Sequence, residues 1–110
     1  LLSVHNVLGI RVSITNTLEN NKVLTVHCKS ADDDLGVRVL AFNDGFDWSF
    51  RKNFFGTTQF YCSFKWEGEF HWFDIYVAFR DPCSECKWVI SQKGPIRVTS
   101  RAAYSWPWNK

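Results

Sequence analysis

The feature that most constrains this chain is an alternation of apolar and polar residues that recurs in short runs from one end to the other. Period-two alternation gives an extended strand one face to bury and one to wet, and no segment keeps the 3.6-residue period of an amphipathic helix. Residues 9–16 set Ile10, Val12 and Ile14 against Arg11, Ser13 and Thr15. After the turn-type cluster Leu18, Glu19, Asn20 and Asn21, a second run sets Leu24, Val26 and Cys28 against Thr25, His27 and Lys29. These two runs are expected to form a hairpin. A third run carries Val37, Val39 and Ala41 on one side, and a short fourth carries Trp48 and Phe50. In the fifth, Phe60, Cys62, Phe64 and Trp66 face inward.

The sixth run sets Phe73, Ile75, Val77 and Phe79 against Trp72, Asp74 and Tyr76; apolar on both sides, it is expected to be a central strand. Cys86, Trp88 and Ile90 face inward in the seventh, and in the eighth Ile96 and Val98 alternate with an outward Arg97. Strands spaced by about 8–12 residues and separated by Gly, Pro, Asn and Asp are the signature of a β-sandwich or barrel. The expected fold class is all-β: a two-layer antiparallel β-sandwich of about eight strands, stabilised by disulfides. With 110 residues the chain supports one core, so residues 1–110 read as a single domain with its core at about 9–101. The aromatic tail, 102–110, is expected to drape over a sheet edge rather than form another strand.

Hydrophobic residues at 45% exclude a disordered chain, and a formal charge of +2 is too mild to argue for nucleic acid. No apolar run reaches the ~20 residues that span a bilayer, so membrane insertion is not expected. The sequence opens Leu1-Leu2-Ser3 and contains no Met, as a mature chain does once a signal peptide is removed. Its four cysteines read as two disulfides in an oxidising compartment. A secreted, extracellular protein is expected.

Chemical motifs are few. Cys83-Ser84-Glu85-Cys86 has the spacing of redox and zinc sites, but a strand follows it where a redox dithiol needs a helix N-terminus. Zinc would need Cys28 and Cys62 to join the pair, so structural disulfides are the better reading. If the fifth to seventh strands are successive hairpins, Cys62 and Cys86 sit ~20 Å apart, well beyond the ~7 Å that a bridge allows. The expected pairing is Cys28–Cys62 and Cys83–Cys86. His5, His27 and His71 have no nucleophile motif near them. Asp32, Asp33, Asp34, Glu67 and Glu69 read as solvated turn residues without the spacing of a calcium loop. Asp74 lies in an apolar strand and needs a partner such as an Arg, Tyr or Trp. Neither metal nor cofactor is expected, and the chain does not read as an enzyme. Most basic residues, among them Arg11, Lys29, Arg38, Lys65 and Arg97, occupy outward strand positions and read as a solvated face.

The stretches LTVHCKSADDDLG (24–36), FRKNFFGTTQFYCSFKW (50–66), FHWFDIYVAFRD (70–81) and CSECKWVISQKGPIR (83–97) resemble the plant self-incompatibility S-protein homologue family. The resemblance covers about residues 9–97, with all four cysteines in place and no family pattern for the tail. It implies a secreted β protein with two disulfides. The founding members resemble stigma ligands of poppy, recognised by a pollen plasma-membrane protein. The resemblance therefore implies an extracellular signalling ligand, expected to be a monomer, whose partner is a plasma-membrane receptor protein. In that family loops mediate recognition, and the matching surface here is Arg80, Asp81, Pro82, Ser84 and Glu85 beside Asp32, Asp33 and Asp34. The alternative is a carbohydrate-binding module of the cell wall, using exposed Trp, Tyr and Asp.

Overall fold

The computed structural model describes residues 9–52 and 56–108; Leu1, Leu2, Ser3 and His5 lie outside the described residues. Nine strands follow the alternation: β1 (Gly9–Asn16), β2 (Leu24–Lys29), β3 (Asp34–Leu40), β4 (Gly45–Arg51), β5 (Gln59–Trp66), β6 (Glu69–Val77), β7 (Glu85–Ser91), β8 (Gly94–Val98) and β9 (Ala103–Ser105). They form a five-stranded sheet, β4-β1-β7-β8-β9, and a four-stranded sheet, β3-β2-β5-β6. Between them lies a core in which Val12, Ile14, Leu24, Val26, Phe64, Ile75 and Trp88 lose nearly all contact with water. The fold is the expected two-layer sandwich. Every strand pair is antiparallel except β1 with β7, which is parallel.

The expected hairpin between the first two strands is absent, because the chain changes sheets between them. Asn16 explains the crossing. Its fully buried amide donates to the carbonyls of Lys22 and Leu40 and its Oδ1 accepts the Leu18 N–H, so the buried arch keeps its hydrogen bonds. Asn20 and Asn21 take positive φ values of 62° and 58°, a conformation that Asn tolerates, and bring the chain onto the second layer. Polar side chains in such a segment read as a tight turn. The chain changes sheets again between β6 and β7, so the fifth to seventh strands are not one meander.

The sixth strand also departs from its simple alternation. Tyr61 pairs with Asp74 while Phe60 pairs with Tyr76, leaving Ile75 as an extra residue in a β-bulge. The bulge reverses the phase, so Tyr76 turns into the core, and the strand ends at Val77, leaving Phe79 in the following turn 87% exposed. β6 is an edge strand, not a central one. On β3, another edge, the side bearing Val37 and Val39 faces solvent.

Among the described residues the buried Tyr76 hydroxyl has no hydrogen-bond partner, and burial, then the charge of Asp81, pushes its pKa above the ordinary phenol value. Above pH ~10 the unfolded chain releases this proton while the folded chain keeps it, so stability falls with rising pH. Tyr76→Phe should remove that alkaline loss and leave neutral stability unchanged or about 1 kcal/mol higher, since an unsatisfied polar group goes. Urea melts from pH 8 to 11 check this; equal alkaline slopes in the two proteins would refute it.

Only Ala103–Ser105 of the tail form a strand; the residues after them lie over the core. β9 extends the β8 edge, and Trp106 and Trp108 pack against the core. Trp106 meets Phe73 and Trp88, with ring centroids 6.0 and 5.2 Å away. Trp108 stacks on His71 at 4.8 Å and donates its indole N–H to the Gln92 carbonyl. At Gly94 (φ 149°) the Trp106 carbonyl comes so close that no Cβ would fit.

Candidate functional site

One end of the sandwich gathers the residues that the sequence singled out for recognition. The loop joining β2 to β3, the segment entering β5 and the loop joining β6 to β7 all emerge there. Ser30 shapes the first: its N–H donates to the Asp33 carbonyl, and its hydroxyl accepts the Asp33 N–H at 3.1 Å. Asp32 and Asp33 consequently point into water. Asp34 is engaged instead, accepting the Gly36 N–H at 2.9 Å and meeting His27 Nε2 at 2.6 Å. The Gly36 N–H, then His27, hold its carboxyl below the ordinary carboxylate range. A shallow cleft of about 450 Å³ runs from Asp32 and Asp33 past Arg51 and Thr58 to Tyr61.

The loop after β6 is built on a buried charge cluster. The Asp81 side chain is fully buried. Its Oδ2 accepts the Val77 N–H at 2.8 Å, while the Asp81 N–H donates to the Val77 carbonyl, closing the turn from both sides. Arg80 grips the same carboxylate through Nε at 3.0 Å and a terminal nitrogen at 2.7 Å, and also donates to the Asp74 carbonyl beside the bulge. Arg97 brings its Nε to 3.6 Å from Oδ1. The cationic planes lie against rings: Arg80 is 5.0 Å from Phe73 and 5.1 Å from Trp106, and Arg97 is 5.2 Å from Tyr104.

Two expectations are corrected by this cluster. Asp81, expected in a surface recognition loop, cannot face a partner, because two guanidinium groups and a backbone N–H need its charge inside the protein. Arg97, expected to point outward, is buried for the same reason. Arg80 keeps only about a quarter of its side chain exposed. The exposed part of the loop is Phe79, Pro82, Ser84 and Glu85, tethered by the Cys83–Cys86 disulfide and by the Arg11 N–H donating to the Ser84 carbonyl. The acidic loop is not directly beside it: β3 and β6 are opposite edges of one sheet, about 14 Å apart by strand spacing.

Phe79 is the residue that alternation missed. It projects next to Gly56 (φ 68°), where any Cβ would collide with the ring. It sits past the end of β6, in the turn that Asp81 closes on Val77, where alternation no longer applies. Among the described residues no three His, Cys, Asp or Glu side chains form a metal-binding group. His27 faces Asp34, and His71 lies between Glu69 and Trp108. The Asp74 carboxyl was expected to need an Arg, Tyr or Trp; it is the Asp74 backbone carbonyl that takes the Arg80 hydrogen bond.

This framework is shared. The family pattern described as plant self-incompatibility protein S1 matches residues 11–108, so the aromatic tail belongs to the framework, contrary to the expectation that it lay outside. S-protein homolog 5 of Arabidopsis thaliana is 41% identical, over 88% of this chain and 76% of that protein. S-protein homolog 20 of the same plant is 44% identical, over 91% of this chain and 76% of its own length. A solved structure described as that of the SPH (Self-Incompatibility Protein Homologue) proteins, "a widespread family of small, highly stable, secreted proteins from plants", superposes with a TM-score of 0.68 at 21% identity, covering 94% of this chain and 96% of that one. With the pattern running through both sheets and the tail, and relatives of this identity spanning most of the chain, the protein belongs to the plant self-incompatibility protein S1 family, with the S-protein homologues.

Proposed function

We propose that this secreted protein is an extracellular recognition ligand for a plasma-membrane receptor protein, and that it presents the loop end of the sandwich to that receptor. The observation that carries the reading is Phe79, a large ring 87% exposed on a turn whose base is clamped by buried charges. An aromatic anchor held rigid and surrounded by polar residues is what a protein interface uses as its energetic centre. Ser84 and Glu85 supply exposed polar groups on the same loop. These positions can vary without disturbing the core, which suits discrimination among partners.

Labelled, oxidised protein should bind plant protoplasts saturably, and protease treatment of the cells should abolish the binding. Phe79→Ala should weaken it by about tenfold or more while thermal melting stays the same. Equal binding by the variant would remove the loop end from this role, and binding that survives protease would rule out a protein receptor.

A further inference from the structure

The two disulfides differ in access, span and support. Cys28 and Cys62 face each other across β2 and β5, and both are shut off from water in the core. A thiolate can reach that bridge only after the sandwich has opened. The Cys83–Cys86 bridge lies at the surface instead. Cys83 is half-buried in the loop after β6, and beside it a shallow depression of about 660 Å³ runs between Ser84, Lys87, Val98 and Thr99. Its partner Cys86 is only 1% exposed, so an incoming thiolate meets one sulfur of the bridge and not the other.

The surroundings of the outer bridge hold their shape without it. On one side the turn is closed by the buried Asp81 carboxylate, which accepts the Val77 N–H and binds Arg80. On the other, the Arg11 N–H donates to the Ser84 carbonyl, and β7 is paired with β1 from Glu85 onward. Pro82 and Cys83 alone lie between these anchors. The bridge spans three positions, so closing it removes little freedom from the chain and opening it returns little. The reduced form also has a place prepared: Cys86 Sγ lies 3.4 Å from the Cys83 carbonyl, an acceptor for the S–H that reduction creates. An accessible bridge whose opening leaves both anchors in place is the labile kind, whereas one sealed in a core resists reduction. Cys86 stands in a strand and not at a helix N-terminus, so the pair lacks the dipole that activates a catalytic dithiol. It is suited to be acted upon.

We infer that Cys83–Cys86 is a thiol–disulfide exchange site, opened by a protein dithiol of the thioredoxin type while Cys28–Cys62 and the sandwich stay intact. The inference stands apart from the receptor reading. A reductase thiolate attacks Cys83 Sγ and forms a mixed disulfide; the Cys83–Cys86 bond breaks, and its electron pair leaves on Cys86 Sγ, which takes up a proton. The second reductase thiol gives up its proton and attacks the first reductase sulfur, so Cys83 departs as a thiolate and is protonated in turn. The chain gains two thiols and the reductase gains a disulfide.

Incubating the oxidised protein with bacterial thioredoxin, its reductase and NADPH at neutral pH tests this, with new thiols trapped by alkylation and located by peptide mapping. The expected result is two thiols per chain, at Cys83 and Cys86, formed about a hundredfold faster or more than any at Cys28 and Cys62. The near-ultraviolet circular dichroism of the buried tryptophans should persist. A thioredoxin lacking its second cysteine should accumulate a mixed disulfide through Cys83. No new thiols, four thiols appearing together, first opening at Cys28–Cys62, loss of the tryptophan signal as the first two thiols form, or a mixed disulfide through Cys86 would each overturn the assignment.

Discussion

Asp81→Asn is expected to lower the unfolding free energy by roughly 3 kcal/mol, the low end of the range for removing one partner of a buried ion pair. The variant keeps the volume of the side chain but loses the charge that Arg80 and Arg97 share. Arg97 is the costlier orphan, because its side chain is only 9% exposed and has no water to turn to. Arg80, with a quarter of its side chain in solvent, recovers part of the loss, which is why the low end applies. For a domain of this size the midpoint should fall by on the order of 12 °C or more. The damage should also be local. Both guanidinium groups lie against Trp106, so its fluorescence should change before global unfolding. A midpoint within about 3 °C of the parent would show that the cluster is not the base of the loop.

The second large effect separates the two disulfides. Removing the Cys28–Cys62 bridge with paired alanines should cost about 4 kcal/mol, because a link across 34 residues removes much freedom from the unfolded chain. The same replacement at Cys83 and Cys86, three residues apart, should cost about 2 kcal/mol by the same relation. Chemical denaturation of both double variants gives the order directly. If the short bridge proved the more costly, strain or lost contacts rather than chain entropy would be setting its contribution. Cys28 and Cys62 face each other across β2 and β5 inside the core, so alanines there also leave a small cavity, which adds to the first figure.

The physics of each signal decides how much of the molecule was legible in the sequence. Alternation reports which side of a strand is apolar, so the strands from Ile10 to Ile90 were legible, as was the two-layer fold. It does not report partners. The β1–β7 parallel pair depends on contacts between residues more than seventy positions apart, as with Ile14 and Trp88, and the crossing at Asn16 on hydrogen bonds to Lys22 and Leu40 that the pattern does not show. It also fails where one residue is inserted or the strand stops early: the bulge at Ile75 turned Tyr76 inward, and the turn after Val77 took Phe79 out of the alternation and hid the most exposed ring. Arg97 and Asp81 were misplaced because a charged residue is assigned to water by default, and only three-dimensional pairing reverses that. On the loop end, Asp32, Asp33, Pro82, Ser84 and Glu85 were legible as exposed turn residues, whereas the outward ring was not.

The parallel strand has a consequence for biosynthesis. Every member of the four-stranded sheet has been made once residue 77 emerges, so that layer can assemble and oxidise Cys28 to Cys62 while the rest is still on the ribosome. The opposite layer must wait, since β1 needs β7, which is completed only at Ser91. Until then Val12 and Ile14 have one neighbouring strand at most, and chaperones of the export route would meet the nascent protein as a finished half attached to an unfinished one.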